Sequence, residues 1–211
     1  QSITLPEGLN HSISTGNSTE TLTGTSLSPF YGCSALTSVT IKIASINTGH
    51  TAWIDNAQLK TNAITEIILA EGVDDIGDGT FRNKSSIEKV SVPVSVSRIG
   101  SAAFQDCASL KEISISRVTA SIAGNAFDEC RQLTAINIAD GNSTYSSKDG
   151  ILLNKSGDIL LKCPEGKVGP CTIPEGVTSI NGNAFRNCTL LTEITIPESV
   201  TAIGSHAFSH C

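Results

Sequence analysis

Apolar positions recur along this chain in one fixed frame. Phe81, Phe104 and Phe127 follow one another at a constant interval of about 23 residues, and Phe185 and Phe208 repeat it. Cys107 and Cys130 share that spacing, as do Cys188 and Cys211. Overlaying 99–116, 122–139, 180–197 and 203–211 gives one pattern, I-x-x-x-A-F-x-x-C-x-x-L-x-x-I-x-I, followed by the V-x-x-I of the next unit. A poorer copy covers 76–93, with Lys84 in the cysteine column. Self-similarity at a period of roughly 20–50 residues predicts a solenoid in which each unit buries its apolar face against its neighbours.

Local rules say what one unit should look like. The stretch L-x-x-I-x-I, as in Leu110, Ile113 and Ile115, ends in the alternation of a strand with one buried face. The spacing of three in A-F-x-x-C-x-x-L predicts a short helical or 3₁₀ turn on the opposite side. The Ala before each Phe is read as small because two coils of backbone approach there. Pro93, Pro174 and Pro197 follow the strands, where a missing N–H is tolerated. Stacking such units predicts a parallel β-sheet on the concave side with the turns on the convex side, a leucine-rich-repeat solenoid.

Two regions depart from the period. Phe30, Cys33, Leu36, Val39 and Ile41 keep the frame near the start, and Trp53 follows Phe30 by the same interval into the phenylalanine column. Residues 12–26 form a polar insertion, and the strand ITEIIL (64–69) arrives late in its unit. The gap from Phe127 to Phe185 is longer than two periods. Within that gap 145–167 reads as a β-hairpin, with apolar runs at 151–153 and 159–161 around a loop containing Gly157. The expectation is one domain over 1–211. It has degenerate repeats at 1–70, regular repeats at 71–139, a hairpin insertion at 140–172, and regular repeats at 173–211, the last incomplete.

The segments 173–208 and 95–115, together with the inserted 146–167, resemble the BspA-type (Treponema pallidum-type) leucine-rich repeat family. The likeness covers roughly 28–211 and rests on six aromatic-anchored copies plus the hairpin; residues 1–60 match poorly, and the cysteine column is lost at Asn56 and Lys84. The resemblance implies a secreted or surface-anchored bacterial protein, of the kind found in oral and gut Bacteroidetes. It further implies adhesion to host extracellular-matrix proteins or to other cells. Fold likeness does not by itself fix a ligand.

Composition narrows the function classes. A formal charge of −6 and a pI near 5.1 argue against a nucleic-acid partner, which needs a basic stripe to displace counterions. No apolar run approaches the ~18–20 residues of a spanning helix. The chain opens on Gln1 and contains no Met, which fits a leader removed on export. Five cysteines (Cys33, Cys107, Cys130, Cys188, Cys211) sit in the repeat column and read as buried free thiols, whereas Cys163 and Cys171 lie outside it and leave a disulfide across their loop open. His206 and His210 stand four apart beside Cys211, but no third metal ligand accompanies them. Asp74, Asp75 and Asp78 hint at a calcium loop, yet lack its alternating ligands and closing Glu. No nucleophile elbow or phosphate loop is present, so no catalytic residue, cofactor or metal is assigned and an enzyme is not expected.

If the two Ile of each strand point inward, the residues between and before them face the concave side. Those columns read Thr40, Ile68, Ser91, Ser114, Asn137, Thr195 and Ser38, Glu66, Lys89, Glu112, Ala135, Glu193. This ladder of small polar residues edged by carboxylates is the candidate binding face, because solenoids bind along such extended surfaces. Seven of the nine aromatics fall in the core column, leaving Tyr31 and Tyr145, which disfavours a glycan without closing it. Three readings follow: adhesion to a host or extracellular protein, a spacer presenting another domain, and a glycan-binding accessory protein. The expected location is extracellular or on the bacterial cell surface.

Overall fold

The computed structural model describes residues 2–5, 37–41, 45–46 and 64–211. The polar insertion, Phe30, Tyr31, Cys33, Leu36, Trp53 and Asn56 lie outside these. Strands are numbered in chain order. β1 (Ser2–Leu5), β2 (Ser38–Ile41), β4 (Glu66–Leu69), β6 (Lys89–Ser91), β8 (Glu112–Ile115) and β10 (Ala135–Ile138) stack in that order as one parallel sheet. The alternation behaves as the sequence predicts: Ile67, Leu69, Val90, Ile113, Ile115 and Ile136 are buried. A second ladder, which a single-sheet reading misses, comes from the V-x-x-I segments. β3 (Ser45–Ile46), β5 (Asp75–Ile76), β7 (Arg98–Ile99) and β9 (Ser121–Ile122) pair in parallel, one per coil.

The turn layer carries i→i+3 bonds, such as Gln105 N–H to Ala102 O (3.1 Å) and Cys107 N–H to Phe104 O (3.1 Å). Among the described residues no helix develops from them, because left-handed residues interrupt each turn: Ala102 (φ 52), Asp106 (58), Asn183 (58), Asn187 (61), His206 (57) and His210 (60). Asn, Asp and His tolerate that backbone better than most residues, which accounts for Asp106, Asn187 and His210 two residues after Phe and for Asn183 and His206 two residues before it.

Successive coils are tied at three points. Backbone N–H groups reach forward: Phe81 to Ala103 O (2.7 Å), Phe104 to Ala126 O (2.8 Å), Phe185 to Ala207 O (2.7 Å). Phenylalanine rings stack, Phe81 on Phe104 at 5.2 Å, Phe104 on Phe127 at 5.5 Å and Phe185 on Phe208 at 5.0 Å. Thiols reach back: Cys107 donates to Phe81 O, Cys130 to Phe104 O (each 2.9 Å) and Cys211 to Phe185 O (3.0 Å). The cysteine column therefore holds a small apolar filler that also satisfies a buried carbonyl.

The insertion is itself a coil with extra strands spliced in. β11 (Tyr145–Lys148), β12 (Ile151–Asn154) and β13 (Ile159–Lys162) form an antiparallel meander, the β12–β13 turn holding Gly157 at φ 77 as the hairpin reading expects. β13 then pairs in parallel with β15 (Ser179–Ile180), and β15 with β17 (Ala202–Ile203), so the V-x-x-I segments after the insertion belong to the meander's sheet rather than to the β3–β9 ladder. β14 (Gly169–Thr172) pairs in parallel with β16 (Leu191–Thr195), putting Cys171 opposite Ile194. Cys163 N–H bonds Ala184 O at 2.7 Å, the bond a phenylalanine makes in the other coils. Cys163 thus occupies the phenylalanine column, and Lys162 occupies the alanine column. Gly150 permits the docking: a Cβ there would lie 2.8 Å from the Cα of Ala135. Buried Asn142 anchors the other end, its Nδ2 donating to Ser116 O and Thr119 O (both 2.9 Å) and its Oδ1 accepting from Thr144 and Tyr145 N–H.

Replacing a ring by a thiol divides the core. One buried cluster runs from Ile64 to Leu152, the other from Ile151 to Ala207. At the seam Lys162, 6% exposed, pairs with Asp128 (2.8 Å) and with Glu165 (3.4 Å). Burial is the largest single influence and opposes the ammonium, but the Asp128 and Glu165 contacts together outweigh it and the Lys162 pKa stands above its ordinary value. Glu165 is pushed above the usual carboxylate range, burial being the first cause.

Phe104→Ala should cost about 3–5 kcal/mol as a core truncation, read from chemical denaturation. In double-mutant cycles Phe104→Ala and Phe127→Ala should couple by about 0.5–1.5 kcal/mol, whereas Phe127→Ala and Phe185→Ala should add, because no stacked ring joins them.

Candidate functional site

Strand register builds the candidate face. Pairing aligns Ser38, Glu66, Lys89, Glu112 and Ala135 in one row, and Thr40, Ile68 and Ser91 in the next, with Ser114 beside Asn137. Eight of the ten candidate residues therefore share the six-stranded sheet. Their exposure is graded: Glu112, Ser114, Asn137 and Lys89 are exposed, Thr40, Glu66 and Ser91 half-buried, and Ser38 buried. Glu193 and Thr195 stand elsewhere, on β16 opposite Pro170 and Thr172. The physical reason is the spliced coil: next to β10 comes the β11–β12 turn, where Gly150 O accepts the Ile136 N–H at 2.9 Å.

The electrostatics of the row also differ from a plain edge of carboxylates. Lys89 Nζ lies 2.9 Å from Glu66 and feels Glu112 on its other side, and the Glu66 hydrogen bond chiefly raises its pKa. Glu66 is thereby held in an ion pair, and Glu112 is the more exposed acid. The turn at Asp149 and Gly150 borders this face, held by Lys167 Nζ on Asp149 O at 2.6 Å. Nothing in the strand periodicity marks these residues; their signal is the departure of 140–172 from the repeat frame.

Other candidates resolve into structural roles. His206 and His210 are left-handed turn residues, not two positions on one helical face. Arg98 of the following coil spans Asp75 (2.8 Å) and Asp78 (3.1 Å), and the Ser101 N–H together with Arg98 holds Asp78 below the usual carboxylate range. Among the described residues no group of three or more His, Cys, Asp or Glu is arranged to hold a metal ion. Cys163 and Cys171 are buried free thiols in the second core, and their mutual proximity holds Cys163 above its ordinary pKa and Cys171 below it. A hollow of about 250 Å³ beside the meander is lined by Ile122, Phe127, Tyr145 and Leu161 among others. Tyr145 Oη accepts the Ile122 N–H there at 3.0 Å.

Known proteins share these stacked coils. The BspA type leucine rich repeat region family matches residues 52–149 and 165–211 in six copies, more than half of the chain. The chain belongs to the BspA-type leucine-rich repeat family. Among curated proteins no relative matches it in sequence. Similar solved structures include the pneumococcal vaccine antigen PcpA, at TM-score 0.66 and 18% identity over 83% of this chain and 48% of that one. A leucine-rich repeat protein from Eubacterium ventriosum aligns over 99% of this chain and 57% of its own, at TM-score 0.60 and 21% identity. A leucine rich cell surface protein from Faecalibacterium prausnitzii aligns at TM-score 0.61 and 28% identity over 85% and 54%. The chain thus spans about half the length of these three proteins. Among the described residues no helix is long and apolar enough to cross a membrane.

Burial pushes the Cys130 thiol up from 9.0 to about 12. A raised folded pKa means native Cys130 holds its proton where the unfolded chain loses it. Its contribution is present below pH 9 and declines as pH rises toward 12, by up to about 4 kcal/mol. Urea denaturation between pH 8 and 10.5 should therefore show a shallower decline for Cys130→Ala than for the parent. Native alkylation at pH 8 should spare Cys130 and modify exposed Cys211 first.

Proposed function

We propose that this chain is a non-catalytic binding module of a secreted or surface-displayed bacterial protein, folded as a single domain over 1–211, that engages a host or extracellular protein through its six-stranded sheet. One observation carries the reading: Lys89, Glu112, Ser114 and Asn137 form an exposed polar patch in strand register on adjacent coils. Family membership supports a protein-interaction scaffold, and one similar structure is described as a cell surface protein. The patch lacks Trp, Tyr and Arg, the side chains that dominate tight interfaces, so single-site binding is weak and gains strength through repeated display.

The hollow at Tyr145 favours a second reading, a glycan-binding accessory role. Its mainly apolar lining and the internal use of the tyrosine hydroxyl make that the weaker of the two.

Surface plasmon resonance over immobilised fibronectin and fibrinogen at physiological salt tests the first reading. Saturable binding should weaken about ten-fold in a Glu112→Lys/Asn137→Lys variant, since wrong-sign charge at a contact is repulsive. Binding indifferent to that variant would move the contact off the sheet. Absence of binding to both proteins, with saturation transfer from a glycan panel instead, would favour the second reading.

A further inference from the structure

The seam between the two cores packs an amine, a carboxyl group and a proton acceptor against one another. Lys162, at the end of β13, places Nζ 2.8 Å from Asp128 Oδ1 and 3.4 Å from Glu165 Oε1. Their side chains are 6%, 17% and 1% exposed, so water barely reaches the amine and does not reach Glu165. Asp128 lies 34 residues before Lys162, in the preceding coil. Glu165 is fixed from the other side by the Glu129 N–H, which donates to Oε1 at 3.0 Å. Its Oε2 is buried without a hydrogen-bond partner. A carboxylate so placed takes up a proton more readily than one in water, and burial holds Glu165 above the usual carboxylate range.

We infer that Lys162 and Asp128 condense in the folded chain to an amide, a covalent staple between consecutive coils, with Glu165 relaying a proton. The Lys162 ammonium passes one proton to the Asp128 carboxylate, leaving a neutral amine beside a neutral acid. The nitrogen lone pair attacks Asp128 Cγ and the C–N bond forms. Glu165 takes a second proton from the nitrogen through Oε1 and returns it to the departing hydroxyl. The Cγ–O bond breaks and water leaves. Two of the three ammonium protons end in that water, the third stays on the amide nitrogen, and Glu165 finishes as it began. Nothing is oxidised or reduced, and no outside reactant enters.

The contacts with Asp128 and Glu165 favour the ammonium, so the amine is the minor form and the step is slow. Fixed proximity offsets this, because well-oriented groups within one molecule react as if at roughly 10⁵–10⁸ M. One event per chain is enough. Condensation also replaces two buried charges, whose desolvation is costly, by a neutral amide. The staple falls between Phe127 and Phe185, where Cys163 interrupts the column of stacked rings. It concerns the scaffold and is independent of what the six-stranded sheet binds.

Mass spectrometry of the intact, denatured chain after incubation at neutral pH tests the bond. The parent should be lighter than its sequence by one water. Trypsin should leave the bond after Lys162 uncut and give one branched product, 118–131 joined to 156–167. Glu165→Gln keeps an acceptor for the Glu129 N–H but takes no proton, and should remain at its full sequence mass. Asp128→Asn should form the same branched product with loss of ammonia instead of water. Circular dichroism establishes that each variant is folded, and the parent's mass decides the bond by itself. A parent at full sequence mass would overturn the inference. So would a water loss confined to one linear peptide, as a succinimide at an aspartate–glycine pair gives. A folded Glu165→Gln variant that is stapled as fully as the parent would overturn the role of Glu165.

Discussion

Each coil of this solenoid is completed by its neighbours, and that mutual dependence governs the rest of the structure. A phenylalanine amide finds its acceptor only in the following coil, at the carbonyl of the alanine before the next phenylalanine. The phenylalanine carbonyl in turn serves two donors: Phe104 O accepts Cys107 N–H from its own turn and the Cys130 thiol from the next coil. Both lone pairs are then satisfied in a place water does not reach. In the regular coils a small alanine stands where the backbones meet. The thiol must be small and apolar yet able to donate. The ring fills what remains and stacks on its neighbour at van der Waals distance. Three columns of the repeat are thus one constraint seen at three atoms.

The spliced coil shows what happens when a coil must meet that constraint with different residues. Cys163 keeps the forward amide bond but gives up the ring, so the two stacks end at Phe127 and Phe185. Lys162 replaces the small alanine and brings a charge into the seam, which Asp128 of the preceding coil compensates. Glu165 then supplies by side chain the acceptor that Glu129 would otherwise find on a backbone. Buried ion pairs of this kind do not add stability over apolar packing as a rule. Here the pair follows from fitting a three-stranded meander into a stack whose period it does not share.

What the sequence discloses depends on how many copies repeat it. The aromatic column, the thiol column and the strand ladder recur often enough that their spacing alone fixes register from Glu66 to Ile138, and the structure places those residues as the period requires. The V-x-x-I ladder is less legible, because two-residue strands are too short to show alternation. The spliced coil is least legible. Gly169 and Pro170 open β14 where other coils carry better strand formers, which hides it. A signal existed all the same: Cys163 lies close to one period before Phe185, and Cys171 and Ile173 keep the apolar alternation. Counting backwards from the regular repeats finds a coil that counting hydrophobic runs forward assigns to a hairpin. The ion network has no such signal, since Lys162 reads as the polar end of an apolar run until its neighbours in space are known.

Charge placement finally bears on the binding proposed for the six-stranded sheet. The chain carries a net charge of −6, but the row on the six-stranded sheet alternates in sign, with Lys89 between Glu66 and Glu112. Opposite charges in adjacent strands cancel over a few ångströms, so this face projects little long-range field to steer an encounter. Discrimination by the proposed contact would rest on the fit of Ser and Asn hydrogen-bonding groups, each contributing modestly. A flat row of modest contacts on a rigid, repeating scaffold favours many weak attachments over one tight one, because the scaffold fixes spacing without an ordering cost each time. The seam at the spliced coil is the opposite kind of place. There one buried carboxylate oxygen is held by a backbone amide and its twin lacks a donor, so a change in the seam's own charges shifts its energy far more than any one contact on the sheet.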